Sequence, residues 1–475
     1  MLLERYYDDT LAQASYLIAC ERSGDAIIID PNRQIDSYVR AAAARRVRIR
    51  YVSETHIHAD FLSGSRELAR VTGARLLLSG LGGDDWEYTF AAQDGATLLA
   101  DGESIDVGKV RLQVVHTPGH TPEHICFLVT DTATGDRPMG IVTGDFLFVG
   151  DVGRPDLLEK SANVAGSMDR AARQLHASLK RLAALPDYLQ VWPGHGAGSA
   201  CGKALGAVPQ TTLGYERLYN PALQQKAEQA FVEWVLADQP EPPRYFAEMK
   251  RQNRDGPTLS DPYDGLGRLD AGGVSDAIAK GWWVIDVRGS ADFARAHIPA
   301  TINIPASKSL ATYAGTVLDY ERPYVIIAKT EAQAHTVIGQ LALIGLDKPA
   351  GFATLDVLQQ MKSDGRELQT LSSIDPRALA ERLSSNGVRV IDVRAASEWN
   401  HGHLPDATHI HLGGLVERTA KLERTEPIVV HCQSGTRSSI AASLLMRNGF
   451  TNVSNMPGGF DAWRKAGLPV ARERV

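Results

Sequence analysis

Short runs of β-branched and aliphatic residues, each closed by a polar or glycine-containing turn, recur through the first two hundred positions. Ala26–Asp30, Arg48–Val52, Arg111–Val115, Ile125–Val129 and Gly140–Thr143 are such runs. Each is predicted as a buried strand ending in a polar loop. Helical periodicity falls between them, around Ser65–Val71 and Met168–Leu185. The alternation then breaks. Between Ala237 and Gly267 the chain collects Pro240, Pro242, Pro243, Gly256, Pro257, Pro262, Gly265 and Gly267, with Asp261 among them, which marks a domain boundary.

An internal repeat follows. Asp286-Val-Arg288 returns 106 residues later as Asp392-Val-Arg394, and His297-Ile-Pro299 returns at the same offset as His403-Leu-Pro405. The apolar runs opened by Pro323 and Pro427, and the glycines Gly345 and Gly449 beyond them, keep an offset of 104. Two tandem copies of a strand–loop–helix unit of about a hundred residues predict parallel sheets flanked by helices. The expected domains are therefore 1–262, 263–365 and 366–475.

Composition narrows the partners. The chain has 475 residues, 44% hydrophobic and 22% charged, which is ordinary for globular proteins. A net charge of −6 recommends neither nucleic acid nor an anionic membrane. No apolar run reaches the ~18 residues of a bilayer span, and the first residues lack the order of a secretory signal. Four scattered cysteines do not form a disulfide scaffold, so a reducing cytoplasm is the expected address and homo-oligomerisation is left open.

The chemistry sits at strand ends. His56, His58 and Asp60 follow one apolar run; His116 and His120, Asp145, and His195 follow three others. Imidazoles and carboxylates delivered to successive strand ends are what a divalent metal requires. These motifs (His-x-His-x-Asp, Thr-Pro-Gly-His, Gly-Asp, Pro-Gly-His) resemble the metallo-β-lactamase fold, in particular its glyoxalase II branch. The resemblance implies an αββα sandwich with the metal at its rim. Binuclear hydrolases of that fold carry histidine where this chain has Phe61, so one metal is expected rather than two. The stretch also resembles the persulfide dioxygenases, through Thr-Pro-Gly-His-Thr-Pro and through Thr-Gly-Asp followed by Gly153-Arg-Pro-Asp156. Carried over, that resemblance implies one Fe(II) on His56, His120 and Asp145. Two histidines and a carboxylate also suit non-haem Fe(II) on chemical grounds. His58, Asp60 and His195 would then orient the ligands or the pocket. His116 and His124 are expected to be structural.

Cys20 and Cys126 lie within apolar runs and are expected as core thiols. Cys201 follows the glycine-rich stretch after His195, expected to be a flexible loop passing near the metal, and either carries sulfur or is incidental. Cys432 stands between a strand and a helix start, where unpaired backbone N–H groups and the helix dipole favour an anionic persulfide, with Arg437 adding positive charge. This region resembles rhodanese, with the Cys-x4-Arg loop, Pro457-Gly-Gly-Phe460 and Gly467-Leu-Pro-Val470 in place. The middle copy aligns Ala328 with Cys432 and Gln333 with Arg437, so sulfur transfer is not expected there.

The domain order resembles bacterial three-domain persulfide dioxygenase–sulfurtransferases of sulfide detoxification. It implies a thiol persulfide, O2 and sulfite as reactants: iron-dependent oxidation to sulfite, then transfer of sulfur from Cys432 to give thiosulfate. The thiol could be glutathione, coenzyme A or another. Two rival readings are a zinc thioester hydrolase joined to a sulfurtransferase, and a persulfide sensor or carrier.

Overall fold

A computed structural model describes residues 1–157, 159, 166–182, 184–259, 262–385 and 387–472. Asp261, and residue 183 within the predicted Met168–Leu185 helix, lie outside them. The chain packs as two units, Met1–Leu259 with Leu343–Gly345, and Ser260–Ala342 with Leu346–Val475.

The first unit is built on two six-stranded sheets, each with its strands side by side in chain order. One runs Leu2–Asp8, Gln13–Cys20, Asp25–Ile29, Arg48–Ser53, Arg75–Ser79, Thr97–Leu99; the other runs Ser104–Val107, Val110–His116, Ile125–Asp131, Gly140–Gly144, Gln190–Pro193, Thr211–Thr212. Their facing sides share one core: Tyr16, Ile18, Ile27 and Ile29 meet Leu112, Val114, Phe127, Val129 and Val142. Helices Ile35–Arg45 and Ser65–Thr72 cover the outer face of the first sheet through Tyr38, Ala42 and Leu68. Helices Ser167–Leu182 and Glu228–Leu236 cover the second through Leu175, Leu179 and Phe231. The result is a four-layer αββα sandwich. The proline- and glycine-rich stretch also contains a helix, Tyr245–Asp255, which buries Tyr245, Phe246 and Met249 at helical spacing.

Topology explains why the metal motifs converge. Gly140–Gly144 and Gln190–Pro193 are parallel neighbours with Gly144 opposite Pro193, so Asp145 and His195 emerge together. Two antiparallel steps away, Val110–His116 points the same way and ends at the same edge, where the turn to His120 begins.

The second unit holds two separate all-parallel sheets. The middle repeat has the order Ile302–Asn303, Trp283–Asp286, Tyr324–Ile327, Pro349–Ala353. The last repeat reproduces that order with Thr408–His409, Arg389–Asp392, Ile428–His431 and Val453–Asn455, and adds Ser372–Ser373 at the edge. No helix among the described residues is long and apolar enough to cross a membrane.

Candidate metal centre and sulfur-transfer loop

The loop after Arg48–Ser53 is fixed before any metal is considered. Asp30 accepts from the Thr55 amide at 2.6 Å and the Thr55 hydroxyl at 2.9 Å, and its Oδ1 is 3.1 Å from His58 Nε2. Glu123 accepts from the Ile57 amide at 2.7 Å. Asn253, on the Tyr245–Asp255 helix, donates to the carbonyls of His58 and Phe61 at 2.8 Å each. Phe61 is buried with its ring 4.3 Å from that of His58. His58 is thus turned toward Asp30.

His56, His120 and Asp145 each present one ligand atom within 4.8 Å of the other two, all buried. His56 Nε2 and Asp145 Oδ2 have no hydrogen-bond partner, and they stand 3.8 Å apart. His120 Nε2 is 3.6 Å from the same carboxylate oxygen. The opposite ring nitrogens are occupied: His56 Nδ1 lies 2.9 Å from the Thr55 hydroxyl, and His120 Nδ1 lies 3.2 Å from the Arg154 carbonyl. Such outer contacts fix the tautomer and leave Nε2 to coordinate. Burial, helped by neighbouring imidazoles, holds His56 well below the usual histidine range, and burial also lowers His120. Neutral imidazoles and an ionised carboxylate are the protonation states a metal needs. Orphaned buried donor atoms are costly unless satisfied, so this set fits a divalent cation.

His195 lies between two acids. Its Nδ1 is 2.6 Å from Asp145 Oδ1 and its Nε2 is 2.7 Å from Asp60 Oδ2. Burial would lower its pKa, but the two carboxylates outweigh burial and raise it well above the usual value. Burial likewise would raise Asp145, and the His195 charge reverses the sign.

The Gly153-Arg-Pro-Asp156 motif acts as a brace. The fully buried Arg154 donates to both Asp156 oxygens at 3.0 and 2.8 Å, to the Ala200 carbonyl at 2.9 Å and to the Pro240 carbonyl at 2.5 Å. A side chain at Gly153 would collide with the Asp145 carbonyl, 1.8 Å from where its Cβ would stand. Cys201 lies in the loop after His195 as a buried thiol. It is 1% exposed, tied on one side through Ala200 to Arg154 and on the other by Asp151, which accepts from the Lys203 and Ala204 amides at 2.7 and 2.9 Å. Burial and the charges of Asp60 and Asp145 push its thiol well up. His116 bonds the Pro122 carbonyl at 2.8 Å and His124 the Thr117 hydroxyl at 2.8 Å. Cys20 and Cys126 are buried.

In the second unit, Cys432 directly follows the strand Ile428–His431, and Gly435, at φ +117°, turns the chain into helix Thr436–Arg447. The Gly435 amide points at Cys432 Sγ from 3.1 Å and the Ser438 hydroxyl from 3.5 Å. Arg437 forms a two-pronged pair with Glu398 at 2.6 and 2.8 Å, so its positive charge is shared with that carboxylate. Burial opposes the Arg437 charge, and Glu398 more than offsets it. The loop is seated by Arg394, which binds Asp392 and reaches Gln433 Oε1 at 3.1 Å, and by the Phe460 amide on the Cys432 carbonyl at 2.8 Å. In the middle repeat Ala328 is buried, and Gln333 Oε1 accepts from the Lys329 amide at 2.9 Å, filling its own loop.

Asp30, Asn253 and Glu398 are working residues that motif reading passed over, and Arg154 stood in a quoted motif without a role. Glu398 had a signal: it corresponds to Asp292 in the other copy, which pairs with Arg295 where no loop arginine exists.

Residues 8–195 match the Metallo-beta-lactamase superfamily, and residues 375–466 match the Rhodanese-like domain family. A metallo-beta-lactamase from Staphylococcus aureus subsp. aureus COL, of known crystal structure, is 41% identical with a TM-score of 0.68, covering 74% of this chain and 99% of that one. Thiosulfate sulfurtransferase GlpE of Pseudomonas savastanoi pv. phaseolicola is 35% identical over 89 residues, 19% of this chain and 84% of that protein. The crystal structure of ETHE1 from Myxococcus xanthus is 26% identical with a TM-score of 0.44, covering 54% of this chain and 98% of that one.

Proposed function

This chain belongs to the metallo-β-lactamase superfamily and carries a C-terminal rhodanese-like domain, and on that premise we propose that it is a non-haem iron persulfide dioxygenase coupled to sulfur transfer. The domains are assigned as 1–262, 263–365 and 366–475, the middle one inactive. The carrying observation is the buried His56, His120 and Asp145 set, two imidazoles and one carboxylate with orphaned donor atoms, in one chain with a cradled cysteine. Bound there, one Fe(II) would supply activation of O2 toward a persulfide sulfur. His195 and Asp145 hold each other, so the carboxylate stays ionised and oriented. Phe61 and Phe148 are buried, and the Phe148 ring lies 6.3 Å from that of His195, which keeps this edge dry.

The overall reaction balances. A thiol persulfide, O2 and water give the thiol, sulfite and two protons, with the sulfane sulfur oxidised and O2 reduced. Cys432 then takes sulfane sulfur from a second persulfide, releasing its thiol, and the Cys432 persulfide passes that sulfur to sulfite as thiosulfate. The Gly435 amide and Ser438 hydroxyl are placed to stabilise anionic sulfur on Cys432. The name of the thiosulfate sulfurtransferase relative agrees with this second half. One chain carrying both activities raises the effective concentration of sulfite for the second. Metal analysis with O2 uptake on adding a thiol persulfide tests the proposal. Iron near one per chain with uptake supports it; zinc with thioester cleavage and no uptake overturns it.

A further inference from the structure

The helix behind the sulfur-transfer loop, Thr436–Arg447, carries Ser439, Ser443 and Arg447 at four-residue spacing, so they share one face. That face lies on the middle repeat. The Ser439 hydroxyl donates to Asn303 Oδ1 at 2.7 Å, and the Asn303 amide donates to Ser443 Oγ at 3.0 Å. Asn303 and both serines are fully buried. Arg447 donates to the carbonyls of Ala300, Gly281 and Trp282 at 2.7, 3.2 and 3.0 Å. We propose that Asn303 is a positioning residue for sulfur transfer, holding from the middle repeat the helix start that shapes the cradle of Cys432. The proposal rests on the sulfur-transfer half of the proposed function.

The two repeats separate this task from folding. His409 is the counterpart of Asn303 at the offset of 106, and its Nε2 lies 2.8 Å from the Arg394 carbonyl. Asn303 Nδ2 makes the matching bond to the Arg288 carbonyl at 2.9 Å, and another to the Asp286 carbonyl at 3.0 Å. Those bonds close the middle repeat on itself and leave Oδ1 and the amide for the neighbouring helix. On that helix, Ser439 and Ser443 correspond to His335 and Gly339 of the middle repeat, at the offset of 104. Neither hydroxyl is therefore a requirement of the repeat fold.

From Asn303 to the sulfur the path is short. The Ser439 amide donates to the Gly435 carbonyl at 3.2 Å, and the Gly435 amide points at Cys432 Sγ from 3.1 Å. Ser439 also adjoins Ser438, whose hydroxyl stands 3.5 Å from the same sulfur. Asn303 thus fixes the residue that seats both donors of the cradle, and donors act only when correctly placed. Tyr313, on the middle repeat's helix Leu310–Val317, lies near enough to Arg437 to act on its charge.

The test is the rate at which iodoacetamide alkylates Cys432 in the full chain, read by mass spectrometry of its peptide, beside thiosulfate-to-cyanide transfer. Loss of one buried hydrogen bond should slow both about three- to tenfold in Asn303→Ala and in Ser439→Ala. The double variant should fall no further than the slower single one, because each change deletes the same bond. Arg447→Met deletes three bonds of the same contact about 12 Å farther along the helix, and should leave alkylation within about twofold of native. O2 uptake should stay native in every variant. Native rates in Ser439→Ala, which removes a single oxygen, overturn the proposal even where Asn303→Ala fails to fold. An equal fall in Arg447→Met overturns it too, since Asn303 would then serve only the stability of the contact. A native chain alkylated at Cys432 that transfers no sulfur refutes the sulfur-transfer reading instead, and the alkylation rates still decide the role of Asn303.

Discussion

Removing the Arg154 guanidinium should damage the first unit more than any exposed substitution near the metal. The side chain is fully buried and makes four hydrogen bonds, two to the Asp156 carboxylate and one each to the carbonyls of Ala200 and Pro240. Arg154→Met keeps the aliphatic length and deletes all four. Breaking a buried ion pair from one side costs about 3–5 kcal/mol, because the remaining charge has lost its main compensation. At about 1.4 kcal/mol per tenfold, that is roughly two to three and a half powers of ten in the opening equilibrium. Segment-resolved native-state hydrogen exchange suits the measurement, since it reads the first unit separately from the second. Peptides covering Gly140–Gly144 and Gln190–Pro193 should exchange faster by that factor. The double variant Arg154→Met with Asp156→Leu should recover a good part of the loss, since it removes the carboxylate along with its cation. Exchange within threefold of the native chain in Arg154→Met would refute the bracing argument.

At the metal, His56→Ala, His120→Ala and Asp145→Ala should each lose iron and O2 uptake, as three ligands leave no spare donor; iron that survives Asp145→Ala would move the carboxylate role to Asp60. Cys432→Ser should leave O2 uptake in place and shift the product from thiosulfate to sulfite; loss of uptake would mean that the sulfur-transfer loop feeds the iron site. Glu398→Gln removes the partner of Arg437. With both side chains partly exposed, the expected loss is at most about 1 kcal/mol, roughly fivefold in thiosulfate-to-cyanide transfer, and unchanged turnover would count against a positioning role. Ala328→Cys in a Cys432→Ser background should transfer sulfur poorly, because Gln333 occupies the Lys329 amide and Glu331 stands where the active copy has Gly435; turnover near that of the native chain would show an intact middle cradle.

Strand ends were legible because a buried strand is an apolar run and its loop is where polar residues resume. That periodicity placed His56, His120 and Asp145 at loops, and the parallel pairing of Gly140–Gly144 with Gln190–Pro193 then decides which loops meet. Cys201 was harder to read. Its surroundings are glycine, alanine and serine, which suggest a flexible loop, and the contacts that hold it come from Arg154 and Asp151 some fifty residues earlier. Side-chain to backbone contacts of that span leave no periodic trace. Asn253 was hidden for the same reason: its two acceptors lie more than 190 residues before it, on the metal loop. Glu398 sits in the first turn of a short helix, where an acid is expected for the helix alone.

The two repeats separate what the fold needs from what the chemistry needs. In the active copy Arg394 binds Asp392 and donates to the Gly402 carbonyl at 2.8 Å; in the middle copy Arg288 binds Asp286 and donates to the Ala296 carbonyl at 2.8 Å. Gly402 and Ala296 are equivalent positions, 106 residues apart. The Asp-Val-Arg motif therefore closes the same loop in both copies, whether or not a nucleophile lies nearby. It is a folding device: a strand-end carboxylate neutralises a buried guanidinium, which satisfies a carbonyl that the sheet leaves free. In the active copy this arginine also reaches the cysteine loop, through Gln433. Retention of Asp-Val-Arg in the middle repeat thus says nothing for catalysis there. The proposed inactivity of that repeat rests on the span from Ala328 to Gln333, where the sulfur, the arginine of the active loop and the free amide are all missing together.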